Sequence, residues 1–196
     1  MNTSQPGIPS QSSRARALHA LGVAPVLVAV AVLFSCLTPN FLTGANLVNV
    51  LRQASINLVL AAGMTFVILT RGIDLAVGSV LGVSAVVAVS VSLHPEWAWA
   101  AVPAALLLGA SLGALTGGIT AYAGIPPFIT TLGTYTALRG AAYLLAGGTT
   151  VTNGDLSFGW VGNDYVGPVP CILLVAAVVI AGCGFLLRCT VFGLRV

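Results

Sequence analysis

Asn57 to Ser84 reads NLVLAAGMTFVILT, then RGID at Arg71–Asp74, then LAVGSVLGVS. Apolar residues continue on both sides of those four, from about Ala54 to Leu93. As a single helix, ~40 residues at ~1.5 Å each reach ~60 Å, twice the ~30 Å of a bilayer's hydrocarbon core. The run therefore turns, and Arg71-Gly72-Ile73-Asp74 is where flexibility and charge coincide. A charge at mid-bilayer costs roughly 2.5–3.5 kcal/mol on insertion scales, so an Arg and an Asp together belong at an interface. The expectation is a tight helical hairpin whose tip, Arg71, Gly72 and Asp74, lies at a membrane surface.

The composition generalises this. Of 196 residues, 58% are hydrophobic and 6% charged, and mean hydropathy is +1.05. Soluble domains carry about 25% charged residues. The chain therefore reads as an all-α, polytopic membrane protein whose first partner is the lipid bilayer. Its basic residues are seven Arg and no Lys, and nothing in their placement points to nucleic acid. Cys36, Cys171, Cys183 and Cys189 lie in or beside apolar runs with no C-x-x-C pair, and read as small packing residues. His19 and His94 lie near span ends without the company of a metal site, so no metal is expected.

Residues 1–17 are polar and rich in Ser and Pro, and are expected to form a disordered cytoplasmic tail. Residues 18–196 are expected to form the transmembrane domain, with about six spans. These run from about Leu18 to Leu37, up to Leu69, Leu75 to Leu93, Trp97 to Gly118, Phe128 to Ala146 and Val166 to Leu187. Leu18–Leu37 has the basic front and apolar middle of a signal peptide, but it is long enough to span and is read as an uncleaved helix. Asn46 is expected to cap the helix beginning LVNVLRQ, which is either a short interfacial helix or the outer end of the second span. Trp97 and Trp99 follow the break His94-Pro95-Glu96, as suits a membrane–water interface. Pro168 and Pro170 are expected in the first turn of the last span, where Pro is tolerated. Gly109, Gly113 and Gly117 repeat at every fourth residue, and Gly78 and Gly82 do the same in the third span. Small residues at that spacing let membrane helices approach closely, so all five are read as helix-packing positions.

No catalytic set is present: there is no H-E-x-x-H, no G-x-S-x-G, and no P-loop, which needs a Lys. Arg139 stands out because it lies near the middle of an apolar run. It either lines a water-filled translocation pathway or bonds freed carbonyls in a broken or re-entrant segment. Thr130, Thr131 and Thr134 precede it, and Asn57 lies near the outer end of the second span. With Arg139 these are the pathway candidates. Asp74, just after Gly72 and opening a helix, is expected to cap it.

Several groups of residues carry a family resemblance. Asn46-Leu47-Val48-Asn49-Val50-Leu51-Arg52-Gln53 and Gly72-Ile73-Asp74-Leu75-Ala76-Val77-Gly78-Ser79 are similar to an N-L-x-N-x-x-R-Q segment and a G-G-I-D-L-S-V-G-S signature. Pro127 to Thr134, Leu138-Arg139-Gly140 and Thr190-Val191-Phe192-Gly193 extend the match. Together they resemble the permease subunits of ribose-type (monosaccharide) ABC importers. Arg71 stands where the signature has its first Gly, and Ala76 where it has Ser. The resemblance implies a non-enzymatic subunit forming the path for a monosaccharide or small polyol across a bacterial plasma (inner) membrane. It implies as partners a second permease subunit, an ATP-binding subunit that hydrolyses ATP, and an extracytoplasmic sugar-binding protein; this chain itself would bind no cofactor. Family members continue past T-x-F-G into a cytoplasmic docking loop and further spans. This chain is therefore expected to be the N-terminal part of a longer family domain, or to be completed by a second chain, or to be defective, and alone neither to recruit the ATPase nor to transport. An ion-coupled secondary transporter and a structural membrane subunit are the rival classes.

Counting charges by side gives the orientation. With both termini cytoplasmic, Arg14, Arg16, Arg71, Arg188 and Arg195 fall inside and Arg52 outside, the bias that positive residues impose. Reporter fusions after Asp74 should therefore read cytoplasmic, and fusions after Asp155 external; the opposite pattern would overturn this topology.

Overall fold

The structure is a computed structural model and describes residues 22–191 and 193. The polar tail, Arg14, Arg16, His19, the start of the first span, Phe192 and Arg195 lie outside the described residues. The chain is helical almost throughout. Helix α1 covers Ala24–Leu37, α2 Gly44–Leu69 and α3 Val77–Ser92. A 3-10 turn, Pro95–Ala100, leads into α4, Ala101–Ala123, and α5 follows at Pro127–Leu145. A short α6, Gly159–Asn163, precedes a two-stranded antiparallel ribbon, β1 Tyr165–Val166 and β2 Val169–Pro170. Helix α7, Cys171–Cys189, completes the described elements. Among the described residues, three stretches are long and apolar enough to cross a membrane: Gly44–Leu69, Pro95–Ala123 and Cys171–Cys189.

The chain divides into two compact units within α2, between Val50 and Leu51. In the first unit, α1 carries Pro25 in its first turn, where a missing N–H does no harm, and Phe34 stacks on Phe41 with ring centroids 5.8 Å apart. The cap of α2 is Thr43 rather than Asn46, for the helix starts earlier, at Gly44. Thr43 Oγ1 accepts the Asn46 N–H, while the Asn46 amide donates back to the Phe41 carbonyl. Because α2 is one unbroken helix, the LVNVLRQ segment is its outer end and not a separate interfacial helix.

The second unit holds α3 as its central helix. Its close neighbours are α4 and α5, and α2 does not lie tightly along it. The expected close packing of α2 on α3 is thus replaced by a longer connection, 70–76, that leads the chain away before α3 begins. The buried set is made of small residues: Ala76, Val83, Ala88, Ala101, Ala176 and the hydroxyl residues Ser55, Ser79, Thr116, Thr130 and Thr131. Large apolar side chains point outward, with Leu106 and Leu107 each 69% exposed. That inversion fits a protein solvated by lipid tails, where helices meet through small residues and weak hydrogen bonds instead of a large hydrophobic core.

Two helix ends share one geometry with different residues. At the end of α5 the Gly147 N–H bonds the Leu144 carbonyl and the Gly148 N–H bonds the Tyr143 carbonyl. At the end of α2 the Arg71 N–H bonds the Ile68 carbonyl and the Gly72 N–H bonds the Val67 carbonyl. Both are Schellman caps, which place a left-handed residue just past the helix. Gly147 takes that position with φ +62, and Arg71 takes it with φ +60. An L side chain there is disfavoured by ~1–2 kcal/mol. At Gly72 the problem is steric instead: an added Cβ would lie 3.1 Å from Val67 Cγ1 and 3.2 Å from the Val67 carbonyl oxygen.

Arg71→Gly should accordingly stabilise the fold by about 0.5–1 kcal/mol, and Gly72→Ala or Gly147→Ala should weaken it. Thermal unfolding in detergent checks all three, and an Arg71→Gly protein that melts below the parent would contradict the cap.

Candidate functional site

The connection 70–76 crosses from α2 to α3 with little regular structure, so its backbone groups need partners from elsewhere. Its start is closed by the Schellman cap. Near its end, Asp74 Oδ1 accepts the Ala76 N–H at 2.7 Å. This is an Asx turn ahead of the helix, not the expected cap: the N-cap position belongs to Ala76, with no side-chain capping bond. Between the two, the Thr131 hydroxyl of α5 donates to the Ile73 carbonyl at 3.2 Å. Thr131 and Ala76 are both buried. The connection is thereby pinned to the first turns of α5.

Beside this junction lies an open cavity of about 450 Å3. Asp74 and Thr70 face it from the connection, Thr116 and Thr120 from α4, and Thr131 from α5. Its hydroxyls are largely committed. Thr116 bonds the Leu112 carbonyl and meets Thr134 at 3.4 Å, and Thr120 bonds the Thr116 carbonyl. Thr134 bonds the Thr130 carbonyl, and Thr130 approaches the Pro126 carbonyl at 3.5 Å. The threonines expected along a pathway are therefore occupied in joining α4, α5 and the α2–α3 connection.

Arg139 sits apart from them. It is exposed on α5, about 18 Å beyond Pro127 at ~1.5 Å per residue. Helix α5 runs unbroken through it, so there are no freed carbonyls for it to bond. Its Nη1 donates to the Tyr135 hydroxyl at 2.8 Å, and no carboxylate pairs with it among the described residues. Arg139, Tyr135 and Ala142 face Gly78, Ser79 and Gly82 of α3 across a groove of about 200 Å3. Asn57 is exposed on α2, makes no hydrogen bond among the described residues, and joins neither cavity.

The glycines separate in the same way. At Gly109 a Cβ would meet Ser84 Oγ at 3.6 Å and Val80 Cγ1 at 3.8 Å, so α4 does approach α3 there. At Gly78, Gly82, Gly113 and Gly117 it would meet nothing within 4 Å. Among the described residues those four meet no neighbouring helix at a Cβ position. They line open space, Gly113 and Gly117 along the larger cavity and Gly78 and Gly82 along the groove.

At the opposite end of the unit, Arg52 does work that its sequence context did not suggest. Its Nη2 donates to the Asn163 carbonyl at 2.8 Å, and its guanidinium lies 4.8 Å from the Tyr165 ring centroid. Asn153 donates to the Ser92 carbonyl and hydroxyl, and Ser157 donates to the Ala98 carbonyl. The polar segment 147–170 is thus strapped to α2, α3 and the 3-10 turn. Pro168 and Pro170 belong to this strap: Pro170 ends β2 and is the N-cap of α7, one residue before the helix instead of inside its first turn. No local pattern announces contacts between residues 59 to 111 positions apart.

Comparison with known proteins adds a separate line. The family described as "Branched-chain amino acid transport system / permease component" matches residues 46–196. The ribose import permease protein RbsC of Escherichia coli (strain K12) is 42% identical over 173 residues, 86% of this chain and 53% of that protein. The fructose import permease protein FruF of Bifidobacterium longum is 31% identical over 154 residues, 76% of this chain and 43% of that protein. The xylose transport system permease protein XylH of Escherichia coli (strain K12) is 35% identical over 142 residues, 71% of this chain and 36% of that protein. The chain spans about half the length of the ribose permease it matches. No solved structure matches it.

Thr131→Val should leave the Ile73 carbonyl without its partner and destabilise the protein by about 1–3 kcal/mol, the penalty for an unsatisfied buried acceptor. Thr131→Ser should retain most of the stability. Melting temperatures in detergent decide, and equal melting of the two variants would show that the bond holds nothing.

Proposed function

The chain belongs to this family of membrane permease components, and on that premise we propose that it is a permease subunit of an ATP-driven importer for a monosaccharide or related small polyol. The observation that carries the reading is its 42% identity to a ribose import permease over 86% of its length. The partners would be a second permease subunit, an ATP-hydrolysing subunit and an extracytoplasmic sugar-binding protein. Its place would be a bacterial inner membrane, with about six spans in this stretch and both ends of the chain cytoplasmic. The short α3 and the Arg-bearing α5 would then be spans as well, shielded from lipid by neighbours in the assembled transporter. The energy would come from ATP on the partner, with no cofactor on this chain.

The family description names amino acids while the matched relatives are named for sugars. The chemistry of the groove favours a sugar. A zwitterionic amino acid needs an acid for its ammonium as well as a base for its carboxylate. Arg139 is a base without an acid nearby. The four carboxylates, Asp74, Glu96, Asp155 and Asp164, stand outside that groove. Among the sequence candidates that line a cavity or groove, Arg139 is the one with most of its hydrogen-bonding capacity unused among the described residues, and it is the best candidate for the path.

Cells expressing the complete transporter should take up radiolabelled ribose, xylose or fructose while ATP lasts, even after the proton gradient is collapsed. Arg139→Ala should lower that uptake at least about tenfold, a loss of about 1.4 kcal/mol in transition-state binding, with unchanged membrane insertion. Uptake of leucine in place of sugars, or uptake that vanishes with the proton gradient, would reverse the assignment.

A further inference from the structure

We propose that Ser79 and Arg139, with Tyr135 as the residue that positions the guanidinium, form a hydroxyl-binding subsite for the passing sugar, and that Gly78 and Gly82 are glycine to leave it room. The proposal rests on the sugar-permease reading and adds to it the groups that touch the substrate.

Ser79 carries the argument together with Arg139. It is 8% exposed, lines the groove opposite Arg139, and its hydroxyl makes no hydrogen bond among the described residues. Ser35, Ser55 and Ser111, by contrast, each donate to the carbonyl four residues back at 2.7 Å, and Ser84, another unpartnered hydroxyl of α3, lies against Gly109 of α4 and not in this groove. The residue is largely buried, and its free hydroxyl is open to a ligand or water in the groove.

The other wall complements it. A guanidinium has five N–H donors, and one of Arg139's is spent on Tyr135. Tyr135 accepts that bond and keeps its own proton to donate. The groove therefore offers several donors and one hydroxyl able both to donate and to accept. That set suits a neutral ligand whose polar groups are all hydroxyls, each able to accept from Arg139 while donating to Ser79. It suits a lipid tail not at all. The floor is made by Gly78 and Gly82, where a Cβ would meet nothing within 4 Å. Larger side chains there would project into the groove without disturbing the contacts of α3 with α4, which lie at Val80, Ser84 and Gly109.

The test uses the complete transporter in proteoliposomes and initial rates of radiolabelled ribose uptake. Gly82→Leu, which fills the groove, should reduce the rate at least about tenfold, with Gly82→Ala intermediate. Ser79→Ala should reduce it about tenfold, the worth of one lost hydrogen bond to a polar substrate. Across a set of singly deoxygenated riboses, Ser79→Ala should slow all but one, the sugar lacking the hydroxyl that Ser79 holds, whereas a merely structural role would slow every sugar equally. Tyr135→Phe should weaken uptake in a pattern unrelated to that hydroxyl. If the parent transporter carries no sugar, the functional reading itself falls. If the parent carries ribose and either Gly82→Leu or Ser79→Ala matches it, the subsite is overturned. Should Gly82→Leu fail to insert, the deoxyribose series with Ser79→Ala decides alone.

Discussion

A stretch of backbone that leaves a helix must find partners, in protein or water, for the N–H and C=O groups it exposes. The connection 70–76 meets that demand with few groups. The Schellman cap closes α2, the Asp74 carboxylate takes the Ala76 N–H, and the Thr131 hydroxyl takes the Ile73 carbonyl. Because the last of these comes from α5, the connection fixes where α5 begins relative to α3. The spacing of α3 and α5 follows from that junction, and with it the groove between Ser79 and Arg139. Arg71 in a left-handed conformation is the local strain this geometry tolerates, and Gly72 under Val67 avoids another by having no Cβ.

Much of the helical outline was legible in the residues. Length and hydropathy alone required an interruption at Arg71–Asp74, and the helix is interrupted there, between Leu69 and Val77, though not as the tight hairpin expected. Breaks at His94-Pro95 and at Gly124-Ile125-Pro126 also fall where Pro and Gly stand. What could not be read was which helix meets which. In a helix that is apolar all round, hydropathy gives no preferred face, so the pairing of α3 with α4 and α5, in place of α2, left no trace in the pattern. The glycine ladder shows the same limit. Four-residue spacing says that a neighbour can come close, and at Gly109 one does; at Gly113 and Gly117 the same spacing borders a cavity.

The polar residues were legible as types and not as roles. Thr130, Thr131 and Thr134 looked like a pathway because hydroxyls in an apolar helix are unusual. A threonine in a helix has carbonyls within reach in its own turn, and these three use them, while Thr131 and Thr134 also reach across to the connection and to α4. Ser79 attracted no notice in the sequence because a serine beside a glycine is ordinary. Its interest comes from a missing bond, which only coordinates reveal. Asp74 likewise looked like a cap and acts two residues ahead of the N-cap, Ala76, since the helix begins at Val77.

The contact between Arg52 and Asn163 spans 111 positions, which translates into time. At ~5–20 residues per second, about 5–20 s separate the synthesis of the two residues. For that interval α2 exists while the carbonyl and the Tyr165 ring that later engage its guanidinium do not. A permanently charged side chain with no protein partner stays in water, so Arg52 keeps its end of α2 hydrated until the strap arrives. One residue thus serves first as a float and later as a clasp.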